Sequence, residues 1–172
     1  MKHSHSRRQD LPFRWPDPPL HVVLVNPEIP PNTGNIARLC AATGSRLHLV
    51  EPMGFHITDA KLRRAGLDYW DSIDVQTHPG FEAFLSSAKP DHLFLFSTGG
   101  PRSYIEARYK PGDALVLGCE TKGLPQALLD AHPDCVYGIP IRTGHVRSLN
   151  LSSAAAIVVY EALRQINVAN PP

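Results

Sequence analysis

Short apolar runs alternate with segments of helical periodicity along most of the chain. The nearly continuous apolar runs lie at 20–26, 46–51, 92–98, 114–118 and 135–141, with a weaker one at 73–77. Helical patterns lie at 33–43, 58–65, 80–88, 124–131 and 149–166. Strands that are apolar on both faces and are separated by helices are typical of a parallel sheet. The pattern therefore predicts an α/β fold, with a mostly parallel sheet that is covered by helices on both faces.

The composition fits a single globular domain. The chain has 172 residues, of which 42% are hydrophobic and 19% charged, and its formal net charge is +1. Residues 1–19 are polar and rich in proline, so we predict a flexible N-terminal extension followed by one domain over 20–168. The nearly neutral charge excludes a polybasic coat, so a polyanion would have to bind at a local patch.

Signals for membranes, export and metals are missing from the sequence. No apolar run approaches the roughly 18 residues of a membrane span, and the opening MKHSHSRRQD lacks the apolar stretch of a secretory signal. The three cysteines are widely spaced, and the nine histidines are scattered without a paired ligand motif. We therefore expect a cytoplasmic protein with no membrane segment, no disulfide framework and no bound metal.

The common nucleotide and hydrolase motifs of α/β enzymes are also missing. No Gly-x-Gly-x-x-Gly follows a predicted strand, and no Gly-x-Ser-x-Gly elbow is present. The segment GCETKG at 118–123 has the glycine spacing of a phosphate loop, but Lys122 precedes the second glycine instead of following it. These absences exclude the best-known dinucleotide and nucleoside triphosphate sites.

The segment PEIPPNTGNIARLCAATG at 27–44 places polar groups at a helix start. Asn35 and Arg38 lie three residues apart, outside the apolar stripe of this helix. Both would project near the carboxyl end of the first strand, where open α/β sheets bind ligands. Amides and a guanidinium at that place suit a phosphate or a ribose. The same spacing also fits a solvated arginine beside capping asparagines.

The segment LVLGCETKGLP at 115–125 joins a strand to a helix through two glycines. Gly118 would let a ligand approach the backbone closely. Glu120 could hold a sugar hydroxyl or orient Arg38, and it could equally be an exposed acid in a connecting loop.

The segment IPIRTGHVRSLNLSSAAAIVVYEALRQ at 139–165 joins a basic cluster to a helix start. Arg142, His145 and Arg147 precede Ser148 and Asn150, and helix starts of this kind attract carboxylates or phosphates. The helix that follows is apolar nearly all round. That pattern favours a dimer interface, and burial inside one subunit is the alternative.

Together and in this order, these segments resemble the SPOUT superfamily of RNA methyltransferases. The segments EPMGF at 51–55 and LRRAGLDYW at 62–70 extend the resemblance over 20–166 and point to the small tRNA wobble-nucleotide 2′-O-ribose methyltransferases of the TrmL type. The resemblance implies S-adenosyl-L-methionine as cofactor, tRNA as partner, a homodimer, and a deep trefoil knot in the C-terminal part. The implied reaction is methylation of the ribose 2′-hydroxyl of the wobble cytidine or uridine.

The resemblance also implies roles for individual residues. The catalytic residues implied are Arg38 and Glu120. The cofactor-binding residues implied are Phe96, Gly118, Ile139, Ser148 and Leu149. We expect RNA contacts from Asn32, Asn35, Lys61, Arg63, Arg64, Arg147 and Asn150.

Arg38 is a poor candidate for a base because a guanidinium stays protonated. We therefore expect Arg38 to bind the adjacent phosphate and to stabilise developing negative charge, with Glu120 positioning Arg38 or the ribose. The basic run of Lys61, Arg63 and Arg64 lies beside aromatic residues, which suits phosphate contacts and base stacking, although a solvated helix face has the same pattern.

Two other functions fit the sequence less well. One is 2′-O-methylation of another tRNA or rRNA nucleotide, although rRNA relatives usually carry an appended RNA-binding domain. The other is a non-catalytic RNA-binding dimer that has lost the cofactor. The presence of Arg38, Glu120 and Asn150 argues against this second alternative.

Overall fold

The computed structural model describes residues 11–56, 73–142 and 144–169. Its strands form a single sheet of seven members in the order β3-β2-β1-β6-β4-β7-β5, and every pairing in that sheet is parallel. The strands are β1 (His21–Val25), β2 (Arg46–Val50), β3 (Val75–His78), β4 (Leu93–Phe96), β5 (Arg102–Ser103), β6 (Ala114–Leu117) and β7 (Val136–Gly138). The prediction of an α/β fold with a parallel sheet is confirmed.

The described helices follow the predicted periodicity closely. They are α1 (Pro30–Thr43), α2 (Phe81–Ala88), α3 (Gln126–Ala131) and α4 (Leu151–Ala169). Helix α1 begins three residues before the predicted start because proline, which lacks an N–H, is accepted in a first helical turn. It ends at Gly44, whose φ of 68° is left-handed. The helix predicted at 58–65 lies outside the described residues. None of the described helices combines the length and the hydropathy that a membrane crossing needs.

Successive side chains of the central strands enter two separate cores. Val22 and Leu24 of β1 pack in a cluster with α1 and α4, whereas Val23 and Val25 pack in a second cluster with α2 and α3. This alternation follows from the two-residue period of a strand. Both faces of the sheet are therefore covered by helices, as the sequence predicts.

The sequence did not predict three short elements. Strand β5 has two residues, and the 3₁₀ turns at Tyr104–Glu106 and Pro133–Cys135 have three each. None is long enough to display a hydrophobic period. The last predicted strand, 135–141, instead ends at Gly138, since its pairing with β4 stops at Tyr137.

Part of the predicted extension contacts the domain. Phe13 packs against the core on the α1 and α4 side. The backbone N–H of Arg14 donates to Asn167 Oδ1 at 2.9 Å, and Asn167 Nδ2 donates back to the Arg14 carbonyl at 2.9 Å. Phe13 and Arg14 thus contact the domain in this structure, and the flexibility of residues 1–19 stays a prediction. Residues 1–10 lie outside the described residues, and the domain boundary at residue 20 stays a prediction.

Three buried histidines link β1, β2 and β3 beneath α2. His21 Nδ1 lies 2.8 Å from His48 Nε2, and His48 Nδ1 lies 2.9 Å from His78 Nε2. The ring of Phe84 packs edge-on against His48, with 5.0 Å between the ring centroids. A neutral imidazole donates from one nitrogen and accepts at the other, so both bonds are satisfied when all three rings are neutral.

Burial opposes protonation of these rings. Burial and, to a smaller extent, the neighbouring rings of His21 and His78 together lower the pKa of His48 from 6.5 to about 3. Burial also lowers the pKa of His21 and of His78. Burial in the folded protein therefore favours the uncharged form of all three rings.

We expect the protein to lose stability as the pH falls below about 6.5. In that range the unfolded chain binds a proton at residue 48 that the folded chain does not bind, because the folded pKa is the lower of the two. The contribution of His48 is complete above pH 6.5 and disappears toward pH 3, by roughly 1 kcal/mol per pH unit. Urea unfolding measures this slope between about pH 5 and about pH 7.5, a range that brackets the titration of an ordinary histidine.

The variant His48→Gln removes the titrating group and keeps a donor and an acceptor, so its unfolding free energy should vary less steeply with pH. The exposed residue His56 provides the control, and His56→Gln should keep the wild-type slope. Equal slopes for the wild type and the His48 variant would contradict the assignment.

Candidate functional site

A cavity of about 540 Å³ lies beyond the carboxyl ends of β4, β6 and β7. These strands are parallel neighbours in the sheet, so the loops that follow them meet at one edge. The volume falls within the range of roughly 300–1,000 Å³ that is usual for small-molecule sites. The lining segments are 96–98, 117–123 and 147–151, together with Ile29, Asn32, Ile139, Ile141 and Ala154.

The lining brings together most of the residues predicted to form a site. All five predicted cofactor residues contribute to it, namely Phe96, Gly118, Ile139, Ser148 and Leu149. Glu120, Asn32, Arg147 and Asn150 line the same cavity. Three sequence segments that were singled out separately therefore meet at one place, whereas the role of each residue stays a prediction.

The chemistry of the lining is mixed. Apolar side chains come from Phe96, Leu117, Ile139, Ile141, Leu149 and Leu151, and the cations are Lys122 and Arg147. Such a cavity suits an organic ligand with a flat apolar part and polar ends. Within the residues that the structure describes, no three His, Cys, Asp or Glu side chains are grouped as metal ligands would be.

The loop after β6 folds back on itself at Gly118. Cys119 N donates to Gly123 O at 3.2 Å, and Gly123 N donates to Cys119 O at 3.0 Å. Gly123 has a φ of 71°, and a Cβ atom on Gly118 would overlap Gly123 C and Leu124 N. The glycines in GCETKG therefore serve a tight backbone turn that forms one wall of the cavity.

Glu120 connects this loop to the start of α1. Its Oε2 accepts from Glu28 N at 2.8 Å, and its Oε1 accepts from Ile29 N at 3.2 Å and from Asn32 Nδ2 at 3.0 Å. Negative charge at a helix N-terminus is favourable. The described bonds of Glu120 thus position α1, and its predicted action on Arg38 or on a ribose stays a prediction.

Two asparagines continue the connection to α4. Asn32 Oδ1 accepts from Asn150 Nδ2 at 2.9 Å. Asn150 Oδ1 in turn accepts from Ser152 N at 2.8 Å and from Ser152 Oγ at 2.6 Å, which caps the first turn of α4. Both the Nδ2 and the Oδ1 atom of Asn32 therefore form hydrogen bonds within the chain. The contacts give Asn32 and Asn150 a positioning role, and RNA contact by either stays a prediction.

Arg38 and Asn35 lie outside the lining of the cavity. Both side chains are exposed on α1, one turn apart, as the helical spacing predicts. Arg147 is also exposed, and it lines the cavity. The predicted RNA-binding residues Lys61, Arg63 and Arg64 lie outside the described residues.

The sequence did not predict the contact between Glu28 and Thr121, which lies beside Glu120. Thr121 N donates to Glu28 Oε2 at 3.1 Å, and Thr121 Oγ1 donates to Glu28 Oε1 at 2.9 Å. These residues are 93 positions apart. No spacing rule connects residues at such a distance, and only the parallel pairing of β1 with β6 brings their loops together.

Substitution of Gly118 by alanine should destabilise the loop and the fold. The added methyl group has no room, and a forced contact with backbone costs about 2 kcal/mol. Gly99→Ala provides the matched control, because a Cβ atom at Gly99 meets nothing within 4 Å. Urea unfolding of both variants measures the difference. A Gly118 variant as stable as the Gly99 variant would show that the loop is not tightly packed.

Known proteins that are similar to this chain include two of similar length and one that is longer. A tRNA (cytidine(34)-2′-O)-methyltransferase from Burkholderia pseudomallei is 51% identical over 148 residues, which cover 84% of this chain and 94% of the relative. A structure solved for insight into 2-OH methylation of C/U34 on tRNA is 48% identical with a TM-score of 0.79 and covers 85% of this chain and 95% of its own. An AdoMet-bound rRNA methyltransferase from Sinorhizobium meliloti is 26% identical with a TM-score of 0.74, over 85% of this chain and 56% of its own.

The sequence model of the SpoU rRNA Methylase family matches residues 19–160. This range includes the whole described sheet and the lining of the cavity. The chain therefore belongs to the SpoU rRNA methylase family.

Proposed function

We propose that this protein is an S-adenosyl-L-methionine-dependent tRNA methyltransferase that methylates the ribose 2′-hydroxyl of the wobble cytidine or uridine. The observation that carries the proposal is the cavity that the segments around Gly118, Ile139 and Ser148 line together, in a chain 51% identical to a tRNA (cytidine(34)-2′-O)-methyltransferase. We propose a cytoplasmic location, because tRNA is the proposed substrate.

The cavity fits the proposed cofactor. S-adenosyl-L-methionine supplies an electrophilic methyl group on a sulfonium centre when it is bound. Phe96, Ile139 and Leu149 offer apolar surface for an adenine ring, and the tight backbone turn at Gly118 forms one wall of the same cavity. Ser148 adds a hydroxyl for a polar end of the ligand. The AdoMet-bound relative of similar fold supports this assignment.

Arg38 is the proposed catalytic residue. Its guanidinium would bind the phosphate next to the target ribose and stabilise the negative charge that develops as the hydroxyl loses its proton. It would not accept that proton, because it stays protonated in proteins. Glu120 acts with it by holding the start of α1, through the bonds to Glu28, Ile29 and Asn32.

RNA binding is proposed to use exposed positive charge near the cavity. Arg147 lines the cavity and is exposed, and Asn35 is exposed beside Arg38 on α1. The basic residues Lys61, Arg63 and Arg64 would add phosphate contacts from their own segment. Because the chain has a net charge of only +1, these local cations have to provide the attraction for RNA.

A homodimer is part of the proposal. Helix α4 buries Ala155, Val159 and Leu163 in its own subunit, yet Tyr160 and Val168 on the same helix remain 53% and 71% exposed. A helix that is apolar nearly all round is typically covered on both sides, and these two side chains are left uncovered in one subunit. A second copy of the chain would cover them.

The deep trefoil knot is also proposed for the C-terminal part. Strand β7 pairs with both β4 and β5, so the segment after it leaves from inside the sheet. That segment lines the cavity together with the loops at 96–98 and 117–123 before α4 begins. A C-terminal segment that is threaded between these two loops would form the proposed knot.

The function is tested by incubating unmodified tRNA with the protein and S-adenosyl-L-methionine, followed by nucleoside mass spectrometry. Ribose-methylated cytidine or uridine at the first anticodon position is the expected product. Methylation at another tRNA position, or of rRNA alone, would replace the proposed target. Calorimetry without heat on cofactor addition, together with retained RNA binding, would indicate a non-catalytic binder.

The variant Arg38→Ala should lower turnover about 100-fold, which corresponds to about 2.7 kcal/mol of barrier. Cofactor affinity should stay near that of the wild type, because Arg38 does not line the cavity. Single-turnover methylation and calorimetry measure the two quantities. The matched control is Arg46→Ala, which removes an arginine that forms an ion pair with Asp74 at 3.1 Å, at the opposite end of the strands. Similar turnover in both variants would remove Arg38 from the mechanism.

A further inference from the structure

The loops after β1 and β6 exchange hydrogen bonds in both directions. The Glu28 carboxylate accepts from Thr121 N and Thr121 Oγ1, at 3.1 and 2.9 Å. The Glu120 carboxylate accepts from Glu28 N at 2.8 Å. Each glutamate therefore holds the backbone of the segment that carries the other. Bonds that involve a charged carboxylate are stronger than those between neutral groups.

The segment EPMGF at 51–55 contacts the chain at residues 26–28 and thereby supports Glu28. Gly54 N donates to Pro27 O at 2.9 Å, and a Cβ atom on Gly54 would lie 2.9 Å from Glu28 Cα. Asn26 Nδ2 donates to Pro52 O at 3.2 Å. The backbone of Glu28 is thus fixed on both sides, by residues 52–54 and by Glu120.

Thr121 lines the cavity, together with Lys122 and Gly123 of the same loop, whereas Glu28 does not. We infer that Glu28 is a positioning residue: with Thr121 it latches the 118–123 loop in the shape that binds the cofactor. This inference rests on the proposed function. It gives EPMGF a role as the support of the latch.

The variant Glu28→Ala removes both acceptor oxygens and leaves the Glu28 N–H bond to Glu120 available. We expect a dissociation constant for S-adenosylhomocysteine, measured by calorimetry, about tenfold above that of the wild type, since two charge-assisted bonds are lost. KM for the methyl donor should rise similarly, while KM for tRNA stays unchanged. Backbone amides at 118–123 should exchange faster with deuterium, with or without ligand.

Thr121 provides the reciprocal variants. Thr121→Val removes the hydroxyl donor and should weaken binding, and Thr121→Ser should restore it. The double variant of Glu28→Ala with Thr121→Val should bind about as weakly as Glu28→Ala alone, because both changes break the same contact.

Glu106→Ala provides the matched control. Glu106 also accepts a backbone N–H, from Ser103 at 2.8 Å, but neither residue lines the cavity. This variant should keep wild-type cofactor affinity and wild-type exchange at 118–123.

Unchanged affinity and exchange in Glu28→Ala, with only a lower melting temperature, would overturn the latch and leave an ordinary stabilising contact. Failure of the wild type to bind the cofactor or to methylate tRNA would instead overturn the proposed function. The exchange measurement separates the two, because it reports on the loop without any ligand.

Discussion

The carboxylate of Glu120 is the interaction on which the geometry of the site depends. It accepts hydrogen bonds from Glu28, Ile29 and Asn32, and Asn32 in turn bonds Asn150 at the start of α4. Bonds to a charged group contribute about 1.5–3 kcal/mol each. One side chain therefore fixes the loop after β6 and the entry to α1, and through Asn32 the entry to α4.

This arrangement follows from the parallel sheet. Strands β1 and β6 are paired in register from His21 with Ala114 to Leu24 with Leu117, so their following loops leave the sheet side by side. The alternative, a site built on one continuous loop, would lack this support from neighbouring strands. A rigid sheet edge thus positions polar groups that lie about half the chain apart in sequence.

The sequence was informative where structure depends on local periodicity and uninformative where it depends on distant contacts. The apolar runs at 20–26 and 114–118 predict β1 and β6 because a strand buried on both faces must be apolar throughout. The cavity residues Gly118 and Ser148 were found through resemblance, since their motifs are contiguous. The bond between Glu28 and Thr121 could not be predicted, because no period relates residues that lie 93 positions apart. The packing of Phe13 on the core was missed for a related reason: a proline-rich segment shows no period even when it is bound.

Asn32 and Arg38 belong to one sequence motif, but they lie at different places on α1. Asn32 lines the cavity at the start of α1, whereas Arg38 lies almost two turns further along the helix and is exposed. At 1.5 Å per residue, six residues correspond to roughly 9 Å along the axis. A ligand held in the cavity and a phosphate held by Arg38 would therefore be bound by different parts of one helix. Glu120 and Asn150 fix the first turn of α1 through Asn32, so under the proposed function they would also set the distance between the two bound groups. A misplacement of about 1 Å between two reactants can lower the rate about 100-fold, so their alignment requires such a rigid support. The hydrogen bonds at the start of α1 can therefore influence methyl transfer without contact to the reacting atoms.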